Sequence, residues 1–267
     1  MPDDVVVIGG GPAGLAAAAV LQRAGARPVV LERAEGVGAS WRERYARLRL
    51  NTVRWMSGLP HRPIPRSMGR WVSREDYVRY LESYVRDERL DVRTGVEARR
   101  VDPGWVVRTS QGDLGGDVVV VATGFDHTPW LPAWPGADGF AGELLHASRY
   151  RDAAPFRGRD VLVAGTGATG LEIATELAEE GARRVRLAQR TVPTFLSREL
   201  LGLPITPLGP LGVRLPSGAG DRLGRAIERA QRGRLDAYGM PHAERGMLTR
   251  LREEACGPVI VDGFAEA

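Results

Sequence analysis

Residues 5–14 read "VVVIGGGPAG" and residues 161–170 read "VLVAGTGATG". In each, an apolar run enters three glycines spaced G-x-G-x-x-G: Gly9, Gly11 and Gly14 in the first, Gly165, Gly167 and Gly170 in the second. A strand that runs into this spacing and leaves it as a helix makes a cradle for a dinucleotide pyrophosphate. The first glycine allows the tight turn, the second lets the backbone approach phosphate, and the third lets helix and strand pack closely. The helix N-terminus adds exposed N–H groups and the positive end of its dipole. One such spacing is weak evidence. Two of them, each framed by strand, helix and second strand, predict an α/β chain with two Rossmann-like dinucleotide-binding domains.

The flanking residues separate the two loops. After the first, "AGLAAAAVLQRA" (13–24) is alanine-rich and helical. Gly25 closes that helix, and "RPVVLE" is a strand ending at Glu32. Glu32 lies 18 residues past Gly14, where a carboxylate accepts hydrogen bonds from a ribose 2′-hydroxyl. After the second loop, "TGLEIATELAEEG" (169–181) reads as helix and "RRVRLAQR" (183–190) as strand. The same 18-residue count from Gly170 reaches Ala188, followed by Gln189 and Arg190. No acid stands there, and a guanidinium does. A carboxylate repels a 2′-phosphate, whereas arginine pairs with it bidentately. NADP(H) is therefore expected at the second loop, with Arg190 on the 2′-phosphate. The first loop suits the adenosine half of FAD, a flavin that accepts hydride from NADPH.

The rest of the chain reads as support. Residues 35–70 show no period and are expected as loop with short helical turns. "SREDYVRYLESYVRDE" (73–88) is a helix capped by Ser73 with Asp76 three residues on, and its face of Tyr77, Tyr80, Leu81, Tyr84 and Val85 is a core stripe. "VEARRV" and "WVVRTS" are short strands joined by "DPG", and "DVVVVATG" is a buried strand. "HTPWLPAWPGADGF" (127–140) is a Pro/Gly/Trp linker. The expected domains are 1–153, with a small antiparallel β insert at about 96–115, and 154–267. The latter closes with a Pro/Gly-rich loop (192–218), two amphipathic helices near 219–233 and 243–255, and the strand "PVIVDG".

Composition narrows the function classes. Apolar residues make up 43% of the 267 and charged residues 26%, which is ordinary for a globular protein. No run of about 18 apolar residues is present, so no membrane span is expected. The N-terminus shows neither a basic n-region nor a cleavage site, and a cytoplasmic location is expected. All 37 basic charges are arginine, scattered among 33 acidic residues. That pattern lacks the clustering of a nucleic-acid surface. Cys256 is the single cysteine, so neither a disulfide framework nor a C-x-x-C pair exists within the sequence. His61, His127, His146 and His242 show no metal-ligand spacing. A homodimer is compatible with these features.

"FAGELLHASRY" (140–150) sets Phe140, Gly142, His146 and Tyr150 in the pattern F-x-G-x-x-x-H-x-x-x-Y, just before the second loop. Position and pattern resemble the fingerprint of the class B flavin-dependent monooxygenases, the group of N-hydroxylases, plant YUCCA-type enzymes and Baeyer–Villiger enzymes. "VVIGGGPAGLAAA", "LERAEGVGASW", "LNTVRWMSGLP", "SREDYVRYLESY", "VVVATGFDHTPWLPAWPG" and "GPVIVDGF" agree with it in the family's order.

The resemblance implies an enzyme in which NADPH reduces FAD, O2 adds at flavin C4a, and bound NADP+ shields the (hydro)peroxyflavin until a small organic substrate arrives. It implies that Gly9, Gly11 and Gly14 hold the FAD pyrophosphate and that Glu32 and Arg33 contact its adenosine. Gly38, Ser40 and Trp41 would lie along the flavin, in a stretch where Ala39 replaces the family's second glycine. Thr123 and Gly124 match an "ATG" turn near the cofactor. Gly165, Gly167, Thr169 and Gly170 would hold NADP, although many relatives carry Asn-Ser before the last glycine. Asn51 matches an asparagine near the flavin, a neutral amide donor able to stabilise the oxygen adduct. His146 matches a histidine that organises the linker in preference to acid/base work. Tyr150 and Arg151 stand where Baeyer–Villiger enzymes carry Trp-Pro, which favours the N/S-oxygenating or YUCCA-like branches. Family members continue beyond the "PVIVDG" region with a segment that completes the first domain, so the FAD domain is expected to be incomplete here. Two alternatives stay open: an NADPH oxidase or flavin reductase that releases hydrogen peroxide, and a truncated, non-catalytic nucleotide-binding remnant.

Overall fold

The computed structural model describes residues 3–125, 128–232, 242–254 and 257–262. His127 and Cys256 lie outside the described residues. The chain divides into two compact units, one of Met1–Leu50 with Ser57–Arg151 and one of Asn51–Met56 with Asp152–Ala267.

The first unit is built on a parallel sheet. β1 (Asp4–Ile8), β2 (Arg27–Leu31), β3 (Asp91–Arg93) and β7 (Val118–Val121) run in the order β3-β2-β1-β7. α1 (Pro12–Arg23) and α3 (Arg74–Glu88) cover one face, where Val5, Val7, Leu15, Ala18, Ala19, Val30, Tyr80, Leu81 and Tyr84 form the core. A three-stranded antiparallel sheet, β4 (Ala98–Asp102), β5 (Val106–Thr109) and β6 (Gly112–Gly115), covers the other face, joining Val96 and Val107 to Val6 and Leu31. Burial on both faces is why β1 reads as an unbroken apolar run. α1 ends as expected. The Gly25 N–H reaches Gln22 O, the Ala26 N–H reaches Leu21 O, and Gly25 takes φ +96°, the Schellman arrangement.

Two strand expectations change. "DVVVVATG" forms an edge strand instead of a buried one: β7 pairs with β1 alone among the described strands, and Val118 and Val121 are 44% and 67% exposed. The short strands β3 and β6 escape a reading based on apolar runs. "GDLG" has too little apolar character to signal a strand, and its register is set by pairing with β5.

α3 follows its sequence closely. Ser73 Oγ accepts the Asp76 N–H at 3.1 Å and donates to Asp76 Oδ2 at 2.7 Å. Asp76 thus returns to the capping hydroxyl of Ser73, a variation on the usual capping box. The tyrosine stripe faces the core. Two of its hydroxyls donate to neighbouring backbone, Tyr80 to Arg62 O at 2.6 Å and Tyr84 to Pro60 O at 3.0 Å. At the C-terminal turn the buried Glu88 carboxylate receives Arg23 and Arg62 at 2.9 and 2.8 Å. Hydrogen bonding from Arg62 and Arg23 holds it below the usual carboxylate range against the opposing effect of burial.

The second unit repeats the strand–helix–strand plan on a smaller sheet. β8 (Asp160–Ala164) pairs in parallel with β9 (Arg184–Ala188), and α4 (Ala168–Glu179) packs against both. Both strands alternate between exposed and half-buried residues, with Leu162 65% exposed. β10 (Phe195–Leu196) pairs with β13 (Val259–Ile260), and β11 (Glu199–Leu200) with β12 (Leu203–Pro204). α5 (Gly209–Gly212), α6 (Ser217–Arg232) and α7 (Met247–Glu254) complete the unit. Asp221 of α6 caps α7, accepting the Leu248 N–H at 2.7 Å and the Thr249 hydroxyl at 2.6 Å.

Candidate nucleotide-binding sites

At the first loop, Gly9 takes φ +116°, and its N–H closes on Leu31 O at 2.8 Å. A Cβ on Gly9 would stand 2.3 Å from Ala122 O, and one on Gly14 would stand 2.0 Å from Gly9 O. Both positions therefore admit only glycine. Gly11 differs: nothing lies within 4 Å of its missing Cβ, and it is the extended N-cap of α1 with no side chain capping the helix. The first turn of α1 contains no acid. These are the features of a helix end open to an anion.

Glu32 is tied into this loop. Its Oε2 accepts the Gly10 N–H at 2.8 Å and its Oε1 accepts the Ala34 N–H at 2.9 Å, with the residue 9% exposed. Each carboxylate oxygen retains acceptor capacity after one such bond. Gly10 makes the approach possible, since a Cβ there would stand 2.9 Å from Glu32 Cβ and Oε2. Arg33 is exposed beside it.

The second loop copies the backbone. Gly165 takes φ +117°, and its N–H closes on Ala188 O at 2.9 Å. A Cβ on Gly170 would stand 2.3 Å from Gly165 O, and Gly167 is an open, extended N-cap of α4. Thr169 lies in the first turn of that helix. The count of 18 residues requires correction, however. Gly9 N–H binds Leu31, the residue before Glu32, whereas Gly165 N–H binds Ala188, the residue before Gln189. Gln189 therefore stands at the place of Glu32 and Arg190 at the place of Arg33. The offset is one extra residue between helix and second strand: β2 begins at Arg27 after α1 ends at Arg23, and β9 at Arg184 after α4 ends at Glu179. Thr166, buried at 8%, replaces Gly10 and puts a side chain where the first loop makes room for Glu32. Arg190 is exposed.

Three further predicted stretches lie in the first unit. Gly38, at φ +69°, donates its N–H to Gly10 O at 3.0 Å and begins the single turn α2 (Ala39–Arg42). A Cβ on Gly38 would stand 2.9 Å from Leu81. Ser40 is exposed on that turn, and Trp41 packs edge-on against Tyr77 with ring centroids 4.7 Å apart. Thr123 and Gly124 follow β7, and the Thr123 Cα stands 3.4 Å from the missing Cβ of Gly9. The structure thus gathers Gly9–Gly14, Glu32, Gly38 and Thr123 around one strand end. In the fingerprint, the Phe140 ring lies over Gly142, leaving no room for a Cβ. His146 caps a short 3-10 turn, its Nδ1 accepting the Ser148 N–H at 3.1 Å. Tyr150 is buried against Tyr45.

Asn51 belongs to the second unit. Its Oδ1 accepts from Arg198 Nη2 at 3.1 Å. Arg198 also reaches Glu172 Oε1 at 2.8 Å and Asp262 Oδ2 at 2.9 Å, with its side chain 8% exposed. The sequence reading missed Arg198. Nothing in the surrounding "TFLSREL", which also holds Thr194, Ser197 and Glu199, sets it apart from the chain's other arginines. Among the described residues no helix is long and apolar enough to cross a membrane, and no group of three or more metal-ligating side chains is found.

The profile of a protein family described as pyridine nucleotide-disulphide oxidoreductase matches residues 6–199. The chain is 37% identical over 205 residues to the indole-3-pyruvate monooxygenase YUCCA1 of Oryza sativa subsp. japonica, covering 74% of this chain and 50% of that protein. It superposes on the flavin-containing monooxygenase of Stenotrophomonas maltophilia with a TM-score of 0.70 at 30% identity, covering 75% of this chain and 62% of that one. It also superposes on OTEMO in complex with FAD and NADP, with a TM-score of 0.59 at 27% identity, covering 73% of this chain and 40% of that one. The chain spans about half to two thirds of the length of the curated relatives it matches.

Proposed function

The chain belongs to the class B flavin-dependent monooxygenases, within the pyridine nucleotide-disulphide oxidoreductase family, and on that premise we propose that it is an NADPH- and O2-dependent monooxygenase of a small organic substrate. FAD is held at the first loop and NADP(H) at the second. The observation that carries this reading is the pair of open helix N-termini behind glycine turns of matching backbone, one beside Glu32 and the other followed by a second strand that ends in Gln189 and Arg190. The residues fit the two groups. Gly11 and Gly167 leave space in front of uncapped helix ends, where a pyrophosphate takes the place of a capping side chain. Glu32, held by the Gly10 and Ala34 amides, presents fixed acceptors to a ribose hydroxyl. Arg190 supplies a planar cation for a 2′-phosphate. Residues 1–153 are read as the FAD domain and 154–267 as the NADP domain, apart from the Asn51–Met56 segment, which groups with the second unit.

Bound FAD supplies hydride acceptance from NADPH and reaction with O2. The chain's own residues do the rest. Gly9, Gly14, Gly165 and Gly170 keep the backbone close. Trp41 and Tyr77 form an apolar wall on the Gly38 turn. By the family resemblance, the Asn51 amide would serve as a neutral donor to negative charge on oxygen. His146 acts through the linker turn it caps. The single cysteine leaves no dithiol for disulfide chemistry.

The test is reconstitution with FAD followed by anaerobic NADPH addition. NADPH-dependent bleaching of the flavin, reoxidation by O2 and a faster rate than with NADH are expected. No bleaching sinks the reading. Stoichiometric hydrogen peroxide per NADPH across a panel of amines, sulfides and 2-oxo acids replaces it with an NADPH oxidase.

A further inference from the structure

We propose that Arg198 is a positioning residue that fixes which end of the Asn51 amide is presented for donation. The proposal rests on the function proposed above for the task of Asn51, but its geometry stands independently.

Arg198 lies between β10 and β11, nearly buried. Its backbone N–H and its Nη1 both donate to Asp262, at 2.8 and 2.9 Å. Its Nη2 donates to Glu172 Oε1 at 2.8 Å and to Asn51 Oδ1 at 3.1 Å. A guanidinium only donates, so the Asn51 atom facing it is the carbonyl oxygen, and Nδ2 is turned away. A flipped amide would set N–H against N–H beside a cation and lose a charge-assisted bond. The two carboxylates also fix the plane of the guanidinium, so Arg198 does not follow the amide if it turns. Glu172 belongs to α4, the helix that starts at the second glycine loop. That helix, the β10–β13 pair and the Asn51–Met56 segment therefore meet at one side chain. Lysine cannot reproduce this, because its ammonium lacks the planar fork that meets several acceptors from fixed directions.

The decisive experiment has two arms. In the first, the cofactor-free chain is labelled with 15N, and the Asn51 side-chain NH2 pair is identified by its loss in Asn51→Ala. In Arg198→Lys, which keeps the charge beside Glu172 and Asp262, that pair is expected to move into the envelope of freely solvated amides while the remaining spectrum keeps its dispersion. An unmoved pair overturns the proposal. In the second, the FAD-loaded enzyme is turned over with NADPH and a substrate. Arg198→Lys is expected to shift the partition between oxygen transfer and hydrogen peroxide release roughly tenfold towards peroxide, the worth of one charge-assisted hydrogen bond. KM for NADPH should stay within about twofold, since Arg198 does not touch the loop glycines. In the Asn51→Ala background the same change should have no further effect on the partition. Additive effects overturn the proposal. If wild-type protein never bleaches, the proposed function falls, and the amide resonance still decides the role of Arg198.

Discussion

Gly9 and Gly165 turn at φ +116° and +117°, and their N–H groups close on the second strand at 2.8 and 2.9 Å. Even the outer ion pair is repeated, Asp4 with Arg27 in one unit and Asp160 with Arg183 in the other. The side chains next to that shared backbone are not repeated. Where the first unit has Gly10 and Glu32, the second has Thr166 and Gln189, and the packing around them differs too. The first sheet is covered on both faces, while β8 and β9 present every other residue to solvent. On the function proposed above, two tasks separate: backbone and helix end would hold phosphate, which every dinucleotide has, and a few side chains at the second strand end would decide which ribose is accepted.

The shared part breaks most severely. Gly14→Ala places a methyl 2.0 Å from Gly9 O and should destabilise the first unit by about 3 kcal/mol. Gly170→Ala, at 2.3 Å from Gly165 O, should cost about 2 kcal/mol, because a sheet open on one face yields more easily. Denaturant unfolding checks both. Wild-type midpoints would remove the close-packing account of the third glycine.

The differing part sets the next effects. Arg190→Gln should lower the preference for NADPH over NADH about 10- to 100-fold, through a raised KM for NADPH with kcat little changed. Steady-state kinetics with both nucleotides measures this, and an unchanged ratio would take the 2′-phosphate role away from Arg190. The converse change sharpens the comparison. Thr166→Gly combined with Gln189→Glu rebuilds the Gly10–Glu32 pairing in the second loop and should improve KM for NADH roughly tenfold. Gln189→Glu alone should do less, since Thr166 occupies the room the carboxylate needs. Equal effects of the single and double variants would show that Gly10 plays no part in placing Glu32.

Much of this was legible in the sequence where one residue type answers one local demand. Two glycine spacings, the Ser73 cap and the tyrosine face of α3 all follow from contacts within a few residues. The unread parts depend on partners far along the chain. β6 is a strand because β5 pairs with it, and β7 is exposed because, among the described strands, it pairs with β1 alone. The offset that brings Gln189 into the place of Glu32 arises from one residue in a turn, which counting cannot detect and hydrogen-bond register can. Asn51 and Arg198 are 147 positions apart, and nothing local to either announces the other.

The smallest effect concerns acid. Glu88 in the first unit is held below the usual carboxylate range by Arg62 and Arg23. Asp221 in the second is also held low: burial raises it, and hydrogen bonds from Thr249 and the Leu248 backbone more than offset that. A carboxyl with a lowered folded pKa contributes stability above its unfolded value, and that contribution is lost as pH falls through the folded value. Both units should therefore weaken below about pH 4, near the ordinary carboxylate values. Glu88→Gln should reduce the melting temperature at pH 7 and have less effect as the pH falls, because protonated wild-type Glu88 no longer attracts the two arginines. The effect stays small since Arg23 and Arg62 are 49% and 45% exposed and solvent screens them. Asp221→Asn should show the same convergence in the second unit, where the α7 amides lose their charged acceptor. If Glu88→Gln remains equally destabilised from pH 7 down to pH 3, the Glu88 clamp acts through shape and not through charge.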